Sequence, residues 1–135
     1  MSTATATKTV RLWGKPGTPN TVVKRAGQWT ACVVCDHKFD LGSESCWSFV
    51  HRPDGEDFLG VCYECVVNAN AKTWKKALLK RLQAERQDLN EGIAAYATHG
   101  EREWLRLDMV GQSAGNVLRL VDALVGGVEI EGRGA

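Results

Sequence analysis

The fold of this 135-residue chain is decided by residues 32–65, which read CVVCDHKFDLGSESCWSFVHRPDGEDFLGVCYEC. Two Cys-x-x-Cys pairs bracket this stretch, and their members are Cys32, Cys35, Cys62 and Cys65. A gap of two residues lets both thiolates of a pair face one point, and four thiolates complete the tetrahedral shell of a zinc ion. The sequence therefore predicts one structural Zn²⁺ held by these four side chains, with no coordination position left for a substrate.

The residues between the two pairs predict a β-hairpin. Residues 46–51 and 56–61 are rich in aromatic and β-branched side chains, which favour strands. Residues 52–55 (RPDG) between them are typical of a tight turn, and the second pair runs directly into a long helical segment. This order of knuckle, hairpin and helix resembles the treble-clef class of zinc fingers over about residues 29–80. The resemblance implies the four ligands and little about function, because unrelated functions share such a fold.

Alternatives to a four-cysteine zinc site are less well supported by the same part of the sequence. Cys46 is interpreted as a small core residue, with a replacement ligand or a redox-sensitive thiol as alternatives, and His37 and His51 are expected to be exposed or hydrogen-bonded. A rubredoxin-like iron site also uses two Cys-x-x-Cys pairs, but a glycine normally follows each pair. This chain has Asp36 and Val66 in those places. Since the cysteine count is odd, a disulfide framework is also disfavoured, and zinc is the predicted metal.

The composition is that of a globular chain whose charge is divided along the sequence. Hydrophobic residues make up 44% and charged residues 24%, as in ordinary globular domains, and no apolar run is long enough for a membrane span. The net charge of +1 hides a basic stretch at residues 1–31 and an acidic one at residues 32–71. Because the N-terminus has no apolar leader, we expect a cytoplasmic protein without a membrane partner.

Two long helices are predicted to follow the zinc module. Apolar residues recur every three to four positions from about residue 70 to 98 and again from 101 to 125, with a helix break at Gly100. The short connection favours an antiparallel two-helix hairpin. The second helix contains a heptad seam, with Val117 and Val121 near its centre, which could bind a protein partner or a second copy in a homodimer.

The sequence accordingly divides into four segments of an α+β protein. They are a basic flexible arm with a short hairpin as the alternative (residues 1–28), a four-cysteine zinc module (29–69), a helical hairpin (70–128) and a flexible tail (129–135).

The function favoured by these features is a non-enzymatic interaction module. Such a module would be a regulatory or transcription-associated adaptor that docks onto a protein or nucleoprotein partner. The candidate partner-binding residues are Trp13 and Arg11 of the arm, the lysine row Lys72, Lys76 and Lys80, and Val117 and Val121 of the seam. The basic residues make direct nucleic-acid binding the alternative, although the acidic zinc module would repel phosphate.

An enzyme is the third class of function. The chain resembles the endonuclease VII type of HNH nuclease, which also frames a treble clef with two Cys-x-x-Cys pairs. In that family a histidine and an acidic residue beside it, both in the hairpin, hold the catalytic metal. Here His51 has no neighbouring carboxylate in the sequence, so nothing beside it would activate water. We therefore expect no enzymatic activity and no small-molecule substrate, and a degenerate nuclease remains the alternative.

Overall fold

The computed structural model describes residues 9–26, 28–40, 45–99 and 104–132. Within these ranges the chain forms one five-stranded sheet and three helices, so it belongs to the α+β class that the sequence predicts. The elements are β1 (Thr9–Gly14), β2 (Asn20–Ala26), β3 (Ser45–His51), β4 (Glu56–Val61), α1 (Tyr63–Val67), α2 (Ala71–His99), α3 (Trp104–Gly126) and β5 (Gly127–Glu131). The predicted helix break at Gly100 lies outside the described residues, as do residues 1–8 and 133–135.

The predicted hairpin is confirmed as the antiparallel pair β3 and β4. Two hydrogen bonds close its turn. The Gly55 backbone N–H donates to the His51 carbonyl at 2.7 Å, and the Glu56 backbone N–H donates to Asp54 Oδ1 at 2.9 Å. Gly55 adopts a φ of 73°, a left-handed conformation that glycine adopts without a steric penalty.

The sheet joins the two ends of the described chain. Its strand order is β1-β5-β2-β3-β4, and β5 runs antiparallel to β1 and parallel to β2. Here the structure differs from the sequence interpretation, because β5 occupies part of the predicted flexible tail and separates the two strands of the predicted arm hairpin. Val128 and Ile130 of β5 are fully buried. Two apolar residues at a glycine-rich chain end are too short a pattern to predict a central strand.

Glycines make the close pairing of β1 and β5 sterically feasible. Gly14 and Gly127 face each other in the register of the two strands, with φ values of 96° and 120°. A Cβ atom on Gly127 would lie 2.4 Å from the Trp13 carbonyl oxygen, and one on Gly14 would lie 2.4 Å from the Gly126 oxygen. Both the backbone conformation and the contact distance therefore require glycine at these two positions.

The hydrophobic core lies between the sheet and the two long helices. Trp74 of α2 is 1% exposed, and its ring centroid lies 5.5 Å from that of Phe49 on β3. Leu78 of α2 and Leu120 of α3 are fully buried in the same cluster. Because each buried side chain of this size contributes about 1.5–3 kcal/mol, this packing accounts for the attachment of both helices to the sheet.

The helices α2 and α3 match the predicted helical segments and contact each other. At one contact a Cβ on Gly92 would lie 2.4 Å from Val110 Cγ2, so the two helices approach closely there. Glu85 is 7% exposed although it interrupts the apolar stripe of α2. Its Oε1 accepts hydrogen bonds from Arg81 Nε at 3.1 Å and from Asn116 Nδ2 of α3 at 3.4 Å, and these partners satisfy the buried carboxylate.

Candidate metal centre

The first cysteine pair lies in a tight loop before β3. The Asp36 backbone N–H donates to the Cys32 carbonyl at 3.0 Å, and Asp36 adopts the left-handed φ of 65°, which aspartate tolerates better than most residues. The Val34 backbone N–H donates to Cys32 Sγ at 3.3 Å. A backbone donor of this kind stabilises negative charge on the sulfur and orients it, as outer-shell partners of metal ligands do.

The second cysteine pair lies where β4 gives way to α1. Cys62 is the N-cap residue of α1, and Cys65 lies within the helix. The Val66 backbone N–H donates to the Cys62 carbonyl at 3.1 Å. Residues i and i+3 of a helix lie on the same side. The turn of helix between residues 62 and 65 therefore places both thiols on one side of α1.

Backbone pairing brings the two cysteine pairs together. The Val33 backbone N–H donates to the Gly60 carbonyl of β4 at 2.8 Å, and Cys32 forms a parallel bridge with Gly60. Since Gly60 lies two residues before Cys62, this contact fixes the loop against the strand that leads into α1.

All four cysteines predicted from the sequence meet at one point. Their Sγ atoms all lie within 4.8 Å of one another, and Cys35 Sγ lies 3.6 Å from Cys62 Sγ. A zinc ion with sulfur ligands at about 2.3 Å in tetrahedral geometry places those sulfurs about 3.8 Å apart. The cluster therefore fits the spacing of a four-thiolate site and could hold a metal ion.

The environment of the thiols opposes their joint deprotonation when no cation is bound. Burial raises the pKa of Cys62 to about 11 and raises the pKa of Cys65 further. Burial also acts to raise the pKa of Cys35, but hydrogen bonds from the His37 backbone and the neighbouring thiols outweigh it and lower this pKa. Crowded thiols of this kind resist joint deprotonation, and a divalent cation reverses that preference because it binds the thiolate form.

The other sequence candidates for metal ligands are not members of this cluster. Cys46 is fully buried in β3 among core residues, which agrees with its interpretation as a core side chain. The ring of His37 stands edge-on to Phe39, with the centroids 5.5 Å apart. Within the described residues, the group of side chains that could hold a metal comprises the four cysteines alone.

His51 belongs to a charged network that the sequence did not predict. Its ring is 3% exposed, with Nε2 2.8 Å from Asp122 Oδ2 of α3 and Nδ1 3.0 Å from Asp54 Oδ2. Arg119 Nε donates to the same Asp54 oxygen at 2.9 Å. Asp54 lies three residues after His51, but Asp122 is 71 residues away, so the sequence did not show that the two carboxylates meet at one ring. The network ties the hairpin between the cysteine pairs to α3.

Trp13 contacts other residues of the chain and is not a free anchor for a partner. Trp13 is half-buried, its Nε1 donates to the Ala123 carbonyl of α3 at 2.7 Å, and Lys75 Nζ lies 5.3 Å above the ring. The other candidate partner residues are mostly at the surface. Arg11, Lys72, Lys76, Lys80 and Val121 are exposed, and Val117 is half-buried.

A groove borders the first cysteine pair. It has a volume of about 420 Å³, and its lining includes Trp29, Val33, Phe58 of β4 and Lys80 of α2. Arg81 and Asp36 also line it, so its apolar walls are edged by two cationic side chains and one carboxylate, beside the candidate metal centre.

Comparison of the chain with protein-family models, with curated proteins and with solved structures finds no match. In the described part of the chain no helix has the length and apolar character needed to cross a membrane.

Proposed function

We propose that this chain is a structural zinc module that serves as a non-enzymatic interaction adaptor. The observation that supports it is the convergence of four Sγ atoms within 4.8 Å of one another. Four thiolates close the coordination shell of zinc, so the metal would stabilise the fold and would not bind a substrate. Thiols persist in a reducing compartment such as the cytoplasm, which is the location we propose.

The asymmetry of the two cysteine pairs favours zinc over iron. The first pair forms a loop in which Asp36 has a positive φ, whereas the second pair straddles the start of the helix α1. A rubredoxin-like site would have two similar loops. Loop, β3–β4 hairpin and α1 instead follow one another in treble-clef order, and this is the fold that we propose for the metal module.

The two long helices provide the docking surface of the proposed adaptor. We propose that α2 and α3 form an antiparallel hairpin, because their contacts run in opposite chain directions: Glu85 meets Asn116, and Gly92 meets Val110. A protein or nucleoprotein partner would bind this hairpin and the groove between α2 and the first cysteine pair.

The absence of catalysis is part of the proposal and is supported by the position of His51. Its imidazole is 3% exposed, and both ring nitrogens lie within 3.0 Å of a carboxylate oxygen, from Asp54 and from Asp122. A general base must reach a substrate proton directly or through one water. A ring that is 3% exposed and hydrogen-bonded through Nε2 to Asp122 lacks that access, so a role in holding the hairpin to α3 fits His51 better than the nuclease alternative.

The metal role is tested by comparing Cys62→Ser with the matched control Cys46→Ala. Both replace a buried cysteine, but only Cys62 belongs to the cluster. We expect Cys62→Ser to lose bound zinc and its cooperative melt at the wild-type temperature, since zinc can supply about 10–16 kcal/mol of apparent folding free energy in small modules. Cys46→Ala should keep its zinc. Equal zinc content in both variants would contradict the proposal.

Nucleic-acid binding is the second candidate, and one contact favours it. Because Lys75 lies over the Trp13 ring, the strand β1, whose one basic residue is Arg11, lies beside the part of α2 that presents Lys72 and Lys76. The test is fluorescence polarisation of a labelled single-stranded oligonucleotide against salt concentration. Lys72→Glu and Lys76→Glu should each flatten the log–log salt slope by about 0.7. No binding at low salt, or slopes unchanged by both substitutions, would exclude this candidate.

A further inference from the structure

The four thiols of the cluster differ in their exposure to solvent. Cys32 is 1% exposed and Cys62 7%, and Cys65 is half-buried, whereas Cys35 is exposed. Among cysteines with thiolate character, those that solvent reaches are the most readily oxidised. Exposure therefore singles out Cys35 as the sulfur of the cluster that a dissolved oxidant reaches first.

The backbone around the cluster explains why Cys35 is its exposed member. The bridges Ala31–Lys38 and Cys32–Gly60 hold the base of the first cysteine loop, and Cys35 lies at the tip of this loop. Residues 36–38, which follow it, are exposed as well. On the other side of the cluster, Cys62 comes directly after the fully buried end of β4. The sheet thus shields the thiols of Cys32 and Cys62 and leaves that of Cys35 facing solvent.

A second sulfur lies in contact with Cys35 and can react with its oxidised form. Cys62 Sγ is 3.6 Å from Cys35 Sγ, and a sulfenic acid condenses with a neighbouring thiol to form a disulfide. Because Cys62 is nearly buried, it is placed to resolve an oxidised Cys35 and not to meet the oxidant itself. Bound zinc would keep both side chains in the thiolate form, which is the reactive one.

We propose that Cys35 is an oxidation site for hydrogen peroxide and that its oxidation cross-links it to Cys62. In the first step the Cys35 thiolate attacks the peroxide, the O–O bond breaks, and a sulfenic acid and one hydroxide ion form. In the second step the Cys62 thiolate attacks that sulfur, the S–S bond forms, and the S–O bond breaks with loss of a second hydroxide ion. The two sulfurs lose two electrons, which reduce the peroxide.

The cross-link removes half of the ligands of the metal centre. The sulfurs of a disulfide are no longer thiolates, and the thiolates of Cys32 and Cys65 alone do not complete the tetrahedral shell of zinc. Peroxide therefore releases the metal that stabilises the module, and a thiol reductant restores the ligands by thiol–disulfide exchange. This inference rests on the proposed function, because it describes the regulation of the proposed zinc site.

The experiment treats the full chain, purified without added metal, with hydrogen peroxide. Released zinc is measured with a chromogenic chelator, and the disulfide is located by tryptic digestion without reduction, followed by fragmentation in the mass spectrometer. Cleavage after Lys38 separates Cys35 from Cys62, so a bond between them joins two peptides, whereas a bond within either cysteine pair does not. We expect peptides joined at Cys35 and Cys62, release of one zinc per chain, and reversal of both by dithiothreitol.

The order of oxidation is measured on the same chain, since replacing Cys35 would itself remove a ligand. Dimedone, which traps sulfenic acids, should label Cys35 roughly tenfold more than each of the other three cysteines of the cluster. The matched control is Cys46→Ala, which removes a buried thiol outside the cluster and should leave the cross-link and the rate of zinc release unchanged.

Three results would overturn the proposed oxidation site: a disulfide within a cysteine pair, dimedone on a buried cysteine in place of Cys35, or zinc and free thiols that persist in excess peroxide. The zinc content before peroxide is added tests the proposed function separately. A chain purified without zinc would contradict the metal role, and the map of the disulfide would still decide whether Cys35 is the oxidation site.

Discussion

The substitution Ile130→Ala tests whether the C-terminal strand is part of the core. Ile130 is fully buried in β5, between β1 and β2. Removing three carbons loses about 2.4 kcal/mol of transfer free energy, at about 0.8 kcal/mol per CH₂. The cavity left on the buried face of the sheet raises the total to about 3 kcal/mol. For a chain of this length that loss corresponds to a fall in Tm of about 10 °C.

The assay is thermal unfolding followed by circular dichroism, with zinc present in equal amounts. Val125→Ala is the control, because Val125 is 81% exposed and its truncation should change stability by no more than about 0.5 kcal/mol. If Ile130→Ala melted at the same temperature as this control, residues 127–131 would be a flexible tail and the central position of β5 would be wrong.

Two further substitutions test the contacts that hold the helices. Gly92→Ala places a methyl group 2.4 Å from Val110 Cγ2, and the overpacking cost of about 1–3 kcal/mol is partly offset by about 1 kcal/mol of helix propensity. We therefore expect a net loss of up to about 2 kcal/mol in chemical denaturation. A stability raised by the full propensity gain would mean that α2 and α3 do not approach there. Asp54→Asn tests the charged network. Burial acts to raise the pKa of Asp54, but hydrogen bonds from the Glu56 backbone and Arg119, together with His51, lower it below its ordinary value. Because this pKa is lower in the folded chain than its unfolded value of about 3.9, the ionised carboxylate stabilises the fold at pH values above about 3.9. The stabilisation disappears as the pH falls through the folded-state pKa. The Tm difference between wild type and Asp54→Asn should therefore be present at pH 7 and shrink below about pH 4, and a difference independent of pH would contradict the network.

The features predicted from the sequence are those encoded over short distances. The spacing of each cysteine pair, the RPDG turn and the apolar periodicity of the helices all lie within a few residues of chain. They predicted the β3–β4 hairpin, α2, α3 and the convergence of four thiols, which the structure contains. Local patterns succeed here because turn, knuckle and helix geometry depend on neighbouring residues.

The features that the sequence did not predict depend on contacts between distant residues. Trp13 donates a hydrogen bond to the Ala123 carbonyl across 110 residues of chain. Because this partner is not visible in the local sequence, the basic segment around Trp13 was predicted to be a flexible arm. The hydrogen bond between His51 and Asp122 of α3 likewise spans 71 residues of chain. The position of β5 between β1 and β2 buries Val128 and Ile130 on one face of the sheet. No pattern within five residues encodes which strands lie beside them.

The central claim is that four thiolates hold one zinc ion, and X-ray absorption at the zinc edge tests it most directly. The protein should be purified without added metal and measured at known concentration. We predict one zinc per chain, with a first shell of four sulfur atoms at about 2.3 Å. A protein without zinc, or a first shell that includes nitrogen or oxygen atoms, would contradict the account.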